Sequence, residues 1–249
     1  MDPWTLAALV AAGFLASFID AIVGGGGAIS LPALLAAGLP PHVALGTNKL
    51  AGTGSSAMAT LQYLRAGQVV PRVALHLLPW SLVGGLLGAV TVLNVPAGFV
   101  RGLVLALIVA LVGYVLAKPR FGEQDQFRIV TPRLAIGGAA LAFAIGFYDG
   151  FLGPGTGSFL LFVFVALHGF GFLRAAAHGR VLNFGSNIAA LLFFLAVGQV
   201  DFEAGLPMMA ATMVGATVGS RFAICHGDRW VKVLFVVMAG VLAVRLLMG

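Results

Sequence analysis

Two aspartates stand in apolar surroundings. Asp20 and Asp149 each lie four residues ahead of a glycine-rich run, Gly24-Gly25-Gly26-Gly27 in one case and Gly153-Pro154-Gly155-Thr156-Gly157 in the other. An ionised carboxylate inside an apolar segment costs about 2.5–3.5 kcal/mol on insertion scales and must find a partner or water. The glycine runs interrupt a helix, because glycine is a poor helix former and proline removes a backbone donor. Unwound backbone is tolerated at membrane depth only within protein or along a cavity. A helix that restarts after the break turns N–H groups and a positive dipole end toward that cavity, which favours an anion.

The cations follow the same layout. Lys49 and Arg180 lie near the start of the next apolar segment in each case, within Gly46-Thr47-Asn48-Lys49 and His178-Gly179-Arg180, with Asn183 close by. Ser55, Ser56, Ser186 and Asn187 continue at helical spacings. A cation among hydroxyls and amides holds an anion without a full counter-charge. The expected substrate-binding set is therefore Gly24, Gly25, Gly26, Gly27, Asn48, Lys49, Gly153, Gly155, Thr156, Gly157, His178, Arg180 and Asn183, with Asp20 and Asp149 as candidates for proton coupling. Structural alternatives stand beside each role. The aspartates could form helix-to-helix ion pairs or cap the breaks, the cations could snorkel to headgroups, and the glycines could pack helices tightly.

Other chemistry is not indicated. The glycine runs lack the Gly-Lys-Ser/Thr ending of a phosphate loop, no Gly-x-Gly-x-x-Gly opens a helix after a strand, and no Gly-x-Ser-x-Gly elbow occurs. Ser55 or Ser186 with His178 would be the only hydrolase-like set, so the chain is not expected to be an enzyme. The other four histidines, His42, His76, His168 and His226, are expected at interfaces, and no spacing suggests metal ligands. Cys225 is the only cysteine, which excludes an intrachain disulfide. No cofactor is implied.

The elements that must position these residues are membrane helices. Of 249 residues, 60% are hydrophobic and 9% charged, whereas about a quarter are charged in soluble domains. The net charge of +6 comes from scattered basic residues rather than a contiguous face, so no nucleic-acid partner is expected. Breaks at turn residues and charges give eight segments: 4–38, 42–64, 73–94, 97–117, 133–168, 172–198, 204–225 and 230–248. A β-barrel is excluded because runs such as 99–117 do not alternate. The first segment starts at Trp4 without a basic lead or cleavage site and is expected to be retained as a span. Thirty-five residues would make about 50 Å of helix, so 4–38 must be either a broken, tilted helix or a full span followed by a re-entrant half-helix.

The halves match each other. Phe18-Ile19-Asp20 and its glycine run correspond to Phe147-Tyr148-Asp149 and its run at an offset of 129. Further along the offset becomes 131, where Lys49 matches Arg180, Gly54-Ser55 matches Gly185-Ser186, Gly67-Gln68-Val69 matches Gly198-Gln199-Val200, and Gly84/Gly88 match Gly215/Gly219. The expected fold is an all-α integral membrane protein of about eight transmembrane helices in two sequence-related four-helix repeats, each with its first helix broken. Residues 1–117 form the first repeat, 118–132 a polar linker, and 133–249 the second. The spaced glycine pairs are expected to be packing faces, within the chain or in a homodimer. Duplicated halves with a site between them are a common transporter plan.

Several of these motifs are long enough to carry a resemblance. Residues Phe18 to Gly27 with Pro32, Ala44-Leu45-Gly46-Thr47-Asn48-Lys49-Leu50, and Gly146 to Gly157 resemble the TauE/SafE family of sulfite exporters. Within it, the chain is most similar to a widespread bacterial branch of membrane transporters. The resemblance spans both halves and implies a multi-pass protein of the bacterial inner membrane. It also implies transport of a small anion, such as sulfite, a sulfonate or a related organosulfur anion, by alternating access. Ion coupling or facilitation is then expected rather than ATP hydrolysis; an anion channel or ligand sensor is the competing reading. One departure stands out: Gly179-Arg180 precede Val181-Leu182-Asn183 where the family usually has Thr-Lys. A planar fork replaces a point charge, which suits bidentate contact with a sulfonate or carboxylate.

Overall fold

The computed structural model describes residues 1–93, 125 and 131–248. Among them there are nine helices and no strand: α1 (Pro3–Val23), α2 (Gly27–Ala36), α3 (Pro41–Arg65), α4 (Pro71–Val92), α5 (Pro132–Phe151), α6 (Thr156–His168), α7 (Phe172–Ala196), α8 (Phe202–His226) and α9 (Asp228–Met248). The expected segment 97–117 and most of the linker 118–132 lie outside the described residues. Five helices, α1, α4, α5, α7 and α8, are long and apolar enough to cross a membrane. The chain is an all-α, multi-pass membrane protein. Helix α3 has the length, 25 residues, but buries Thr47, Asn48, Lys49, Ser55, Ser56 and Gln62, and this polar content lowers its hydropathy.

Each long glycine-bearing segment is two helices. The 4–38 segment consists of the 21-residue α1 and the 10-residue α2, and 133–168 consists of the 20-residue α5 and the 13-residue α6. At 1.5 Å per residue, α1 and α5 span about 30 Å and the second helices roughly half to two-thirds of that. Helix starts follow local chemistry. The Asp2 carboxylate accepts the N–H groups of Trp4 and Thr5 at 3.0 Å, Thr131 accepts that of Leu134, and Asp201 that of Ala204. Prolines occupy the first position of α1, α3, α4 and α5, where no N–H is needed.

Early and late helices are interleaved. Helix α4 packs on α5 and α7, α8 packs on α1 and α3, and α3 lies against α7. The glycine pairs expected to be packing faces make the two outer seams. A Cβ on Gly84 or Gly88 would stand 2.2 or 2.0 Å from the carbonyl oxygen of Phe143 or Phe147, and one on Gly215 or Gly219 would meet that of Phe14 or Phe18 at 2.3 or 2.2 Å. These faces are therefore spent on packing within the chain.

Four hydrogen bonds lock the interleaved helices. Ser81 Oγ donates to the Leu182 carbonyl at 2.7 Å, and Thr212 Oγ1 to the Ala51 carbonyl at 2.9 Å. Val70 N–H donates to His178 Nε2, and Asp201 N–H to Thr47 Oγ1, both at 2.9 Å. In each pair the residues of one bond lie 131 positions from those of the other, with donor and acceptor helices exchanged between the early and late parts of the chain.

Candidate functional site

The two breaks meet. Gly24 ends α1 with φ +83°, a conformation that only glycine adopts without strain, and Gly153 follows α5 with φ +95°. A Cβ on Gly24 would lie 2.3 Å from the Gly157 carbonyl carbon and the Ser158 nitrogen, so bare backbone crosses bare backbone. Ser158 Oγ fixes the crossing by donating to the Val23 carbonyl at 2.9 Å.

Asp20 and Asp149 each cap their own break. Asp20 Oδ1 accepts the Gly26 N–H at 3.0 Å, and Asp149 Oδ1 accepts the Thr156 hydroxyl at 3.0 Å. Each also pairs with the cation from the other part of the chain. Lys49 Nζ lies 3.1 Å from Asp149 Oδ1 and donates to the Asp149 carbonyl, while Arg180 Nη1 donates to Asp20 Oδ2. Asn183 joins the pairs: its Oδ1 accepts from Arg180 Nη1 and its Nδ2 donates to Asp149 Oδ2, both at 3.3 Å. Ser186 Oγ adds a 2.6 Å bond to Asp149 Oδ2.

A small cavity of about 50 Å³ opens beside this network. Of the residues expected at the site, Gly26, Gly27, Asn48, Lys49, Gly153, Thr156, Gly157 and Asn183 line it, together with Asp20 and Asp149. Gly24, Gly25 and Gly155 shape the breaks without lining the cavity. Arg180, 2% exposed, touches three lining residues, Asp20, Gly157 and Asn183, but is not itself part of the wall. Among the described residues its Nε has no hydrogen-bond partner, and a Cβ on Gly157 would stand 1.7 Å from its Nη2.

His178 lies elsewhere. Its Nε2 accepts the Val70 N–H at the start of α4, its Nδ1 lies 2.7 Å from the Arg174 carbonyl, and its ring stacks on Phe170 at 4.3 Å. His168, expected at an interface, is buried among Phe164 and Phe170 because its segment folds under the start of α7.

Sequence reasoning passed over Ser17, Ser30 and Thr212, which also line the cavity. Ser30 donates to Asn48 Oδ1 at 2.6 Å, and Ser17 shares a 2.6 Å bond with Ser55. A visible signal existed for Ser30, one helical turn beyond Gly26. Thr212 matches Ser81 at the 131-residue offset.

The backbone supplies donors as well. Among the described residues no acceptor takes the N–H of Gly27 or Gly157, the first and second residues of α2 and α6, and both glycines line the cavity. Two helix starts thus face one volume beside two cations and two carboxylates, a balanced set that can exchange an internal anion for an external one. Among the described residues no group of three or more His, Cys, Asp or Glu side chains could hold a metal ion.

Crossing apolar helices around a buried, charged cavity are the form of a membrane transporter. Comparison with known proteins agrees. Residues 9–246 match the family model described as "Sulfite exporter TauE/SafE", and the chain belongs to that family. It is 46% identical over 242 residues to "Probable membrane transporter protein ORF9" of Sinorhizobium sp, covering 97% of this chain and 92% of the relative. It is 39% identical to a "Probable membrane transporter protein" of Haemophilus influenzae, covering 97% and 94%, and 37% identical to "Probable membrane transporter protein YfcA" of Escherichia coli K12, covering 99% and 91%. No solved structure matches the chain. The family and these relatives make it a membrane transporter and not an enzyme.

Proposed function

We propose that the protein is a secondary transporter of small anions, with sulfite, sulfonates or related organosulfur anions as substrates, held in the cavity at the crossed helix breaks. The carrying observation is the convergence of the Gly27 and Gly157 N–H groups, without acceptors among the described residues, with Lys49, Asn48, Thr156 and Asn183 around one volume. The substrate class is taken from the family name, and the donor set is consistent with it.

The same reading has two repeats, 1–117 and 133–249, joined by the 118–132 linker, in the bacterial inner membrane. The four interlocking hydrogen bonds and the two glycine seams, each matched by a partner across the chain, support the repeat. Alternating access then works by moving one set of interleaved helices against the other, with Asp20 and Asp149 as the available proton carriers. His178, Gly24, Gly25 and Gly155 act in this scheme by holding helices and breaks in place.

Thermal stabilisation of the purified protein by sulfite, thiosulfate, sulfoacetate, taurine, simple carboxylates and chloride tests the assignment, since a ligand of the folded state raises the melting temperature. A selective shift with an organosulfur anion, lost in Lys49→Ala and Arg180→Ala, is expected. No shift with any of them would remove this substrate class.

A further inference from the structure

The two carboxylates of the cavity are held differently. Asp149 takes Lys49 and the side-chain donors of Thr156, Asn183 and Ser186, and its side chain is 3% exposed. Among the described residues Asp20 takes only the Gly26 N–H and Arg180, and its side chain is 18% exposed. Asp20 is one of three wall residues, with Gly157 and Asn183, that Arg180 touches without joining the wall itself. Arg180, in turn, is incompletely used: among the described residues its Nε has no partner, and its Nη2 packs where a side chain on Gly157 would stand, directly behind the wall.

Charge balance constrains what an entering anion can do. Two cations and two carboxylates sum to zero, so an added monoanion leaves a buried excess of one negative charge, which low-dielectric surroundings penalise. Protonating one carboxylate restores neutrality and withdraws the acceptor that holds the guanidinium. Other charged groups around Asp20 are few. Across the cavity stand Lys49 of α3 and Asp149 of α5, and Tyr63 of α3 donates to the neighbouring Ala21 carbonyl at 2.8 Å. Among the described residues, helix α2 contributes Gly27 and Ser30 to the wall, α6 contributes Thr156 and Gly157, and α8 contributes Thr212.

Resting on the anion-site reading, we infer that Arg180 is the docking group for the substrate oxyanion and Asp20 its internal competitor, so that each anion bound brings one proton onto Asp20. The proton comes from solvent, the Asp20 carboxyl becomes neutral and turns from the fork, and the anion occupies Arg180 together with the Gly157 N–H. The ligand class is a compact oxyanion able to bridge a guanidinium, such as a sulfonate, sulfite or carboxylate. Lys49 keeps its pairing with Asp149 and faces the anion from across the cavity.

The test is calorimetric titration of the full chain in lipid nanodiscs with sulfite, sulfoacetate and the monoanions methanesulfonate and acetate, with chloride as control; protons are counted with the two monoanions, which do not titrate near neutral pH. Repeating it in buffers of different ionisation enthalpy counts the protons taken up per anion. The wild type should take up one proton, and its affinity should strengthen about tenfold per unit fall in pH. Asp20→Asn should bind with no proton uptake, at least tenfold more tightly at neutral pH, and without pH dependence. Arg180→Ala should lose binding in both backgrounds. Anion binding by the wild type with no proton uptake overturns the exchange while leaving the cavity as an anion site, and needs no variant to be read. Proton uptake retained in Asp20→Asn overturns it too. No heat with any probe, in wild type or Asp20→Asn, overturns both this inference and the reading on which it rests.

Discussion

The two ion pairs at the crossed breaks are built from corresponding residues and differ in how completely they are enclosed. In Lys49–Asp149 the carboxylate takes the ammonium and three further side-chain donors, and although both residues line the cavity, both side chains are at most 3% exposed. Arg180–Asp20 has the same cross-chain pairing but fewer bonds to its carboxylate, and its aspartate is 18% exposed on the cavity wall. A sequence repeat can thus yield one structural and one exchangeable pair, provided the polar neighbours diverge. Ser186 and Asn183 reach Asp149, whereas Ser55, the counterpart of Ser186, turns to Ser17 instead of Asp20.

The largest effect should come from breaking the enclosed pair. Asp149→Asn leaves the Lys49 ammonium buried and uncompensated, at a cost of about 3–5 kcal/mol, read as a loss of thermal stability in detergent. Asp20→Asn should cost less, about 1–2 kcal/mol, because water or an anion can reach the fork through the cavity. Adding sulfoacetate should then restore stability to Asp20→Asn and not to Asp149→Asn. Equal losses without rescue would erase the difference between the pairs.

The breaks allow a second contrast. Gly24 and Gly38 share a left-handed φ, +83° and +88°, but a Cβ on Gly24 strikes backbone at 2.3 Å and one on Gly38 meets nothing within 4 Å. Gly24→Ala should cost about 2–4 kcal/mol, strain plus overpacking at the crossing, and Gly38→Ala about 1 kcal/mol of strain alone. Similar melting temperatures for the two variants would mean that the helix crossing is not tightly packed.

How far this was legible depends on which residues carry the information. Asp20, Lys49, Asp149 and Arg180 were conspicuous because charge in an apolar segment is rare, and the glycine runs marked the breaks within a residue or two of their observed positions. Their pairing was open, since nothing in residue types distinguishes a cation waiting for substrate from one already held by a carboxylate 100 or 160 residues away. His178 looked like a ligand contact because its neighbours are polar. The cross-chain bond to Val70 that gives it a structural job depends on how α4 docks, which no local pattern encodes. The count of spans was legible only in outline: α3 reads as polar because its inner face serves the cavity, and one segment lies outside the described residues.

His178 therefore tests whether the polar setting or the packing role governs. Thr47 does the same work for α8 that His178 does for α4. His178→Ala removes an acceptor from the Val70 N–H and leaves a void beside Phe164 and Phe170, so it should lower stability by about 1–3 kcal/mol. Anion affinity and selectivity should be unchanged in the folded fraction. A selective loss of one anion would place the imidazole in the substrate path and enlarge the site toward α4.

The smallest effect belongs to a charge pair of the opposite kind. Arg174 Nη1 lies 2.5 Å from Asp125 Oδ2, closer than Lys49 Nζ to Asp149 Oδ1 at 3.1 Å, yet both side chains are 33% exposed. Asp125 Oδ1 also accepts the Gly171 N–H, at 3.3 Å, so part of its role survives without the arginine. Solvent screens the pair and two long side chains lose freedom in making it, so Arg174→Ala should cost only about 0–1 kcal/mol. Most of that should vanish in high salt, because an exposed pair is screened over a Debye length of about 8–10 Å at moderate ionic strength. The corresponding loss in Asp149→Asn should depend much less on salt, since the Lys49 side chain is only 2% exposed. Melting curves of both variants at low and high salt separate the cases. If Arg174→Ala proved as costly and as salt-insensitive as Asp149→Asn, proximity of charge rather than enclosure would set the strength of these pairs, and the division of labour between Asp149 and Asp20 would lose its physical basis.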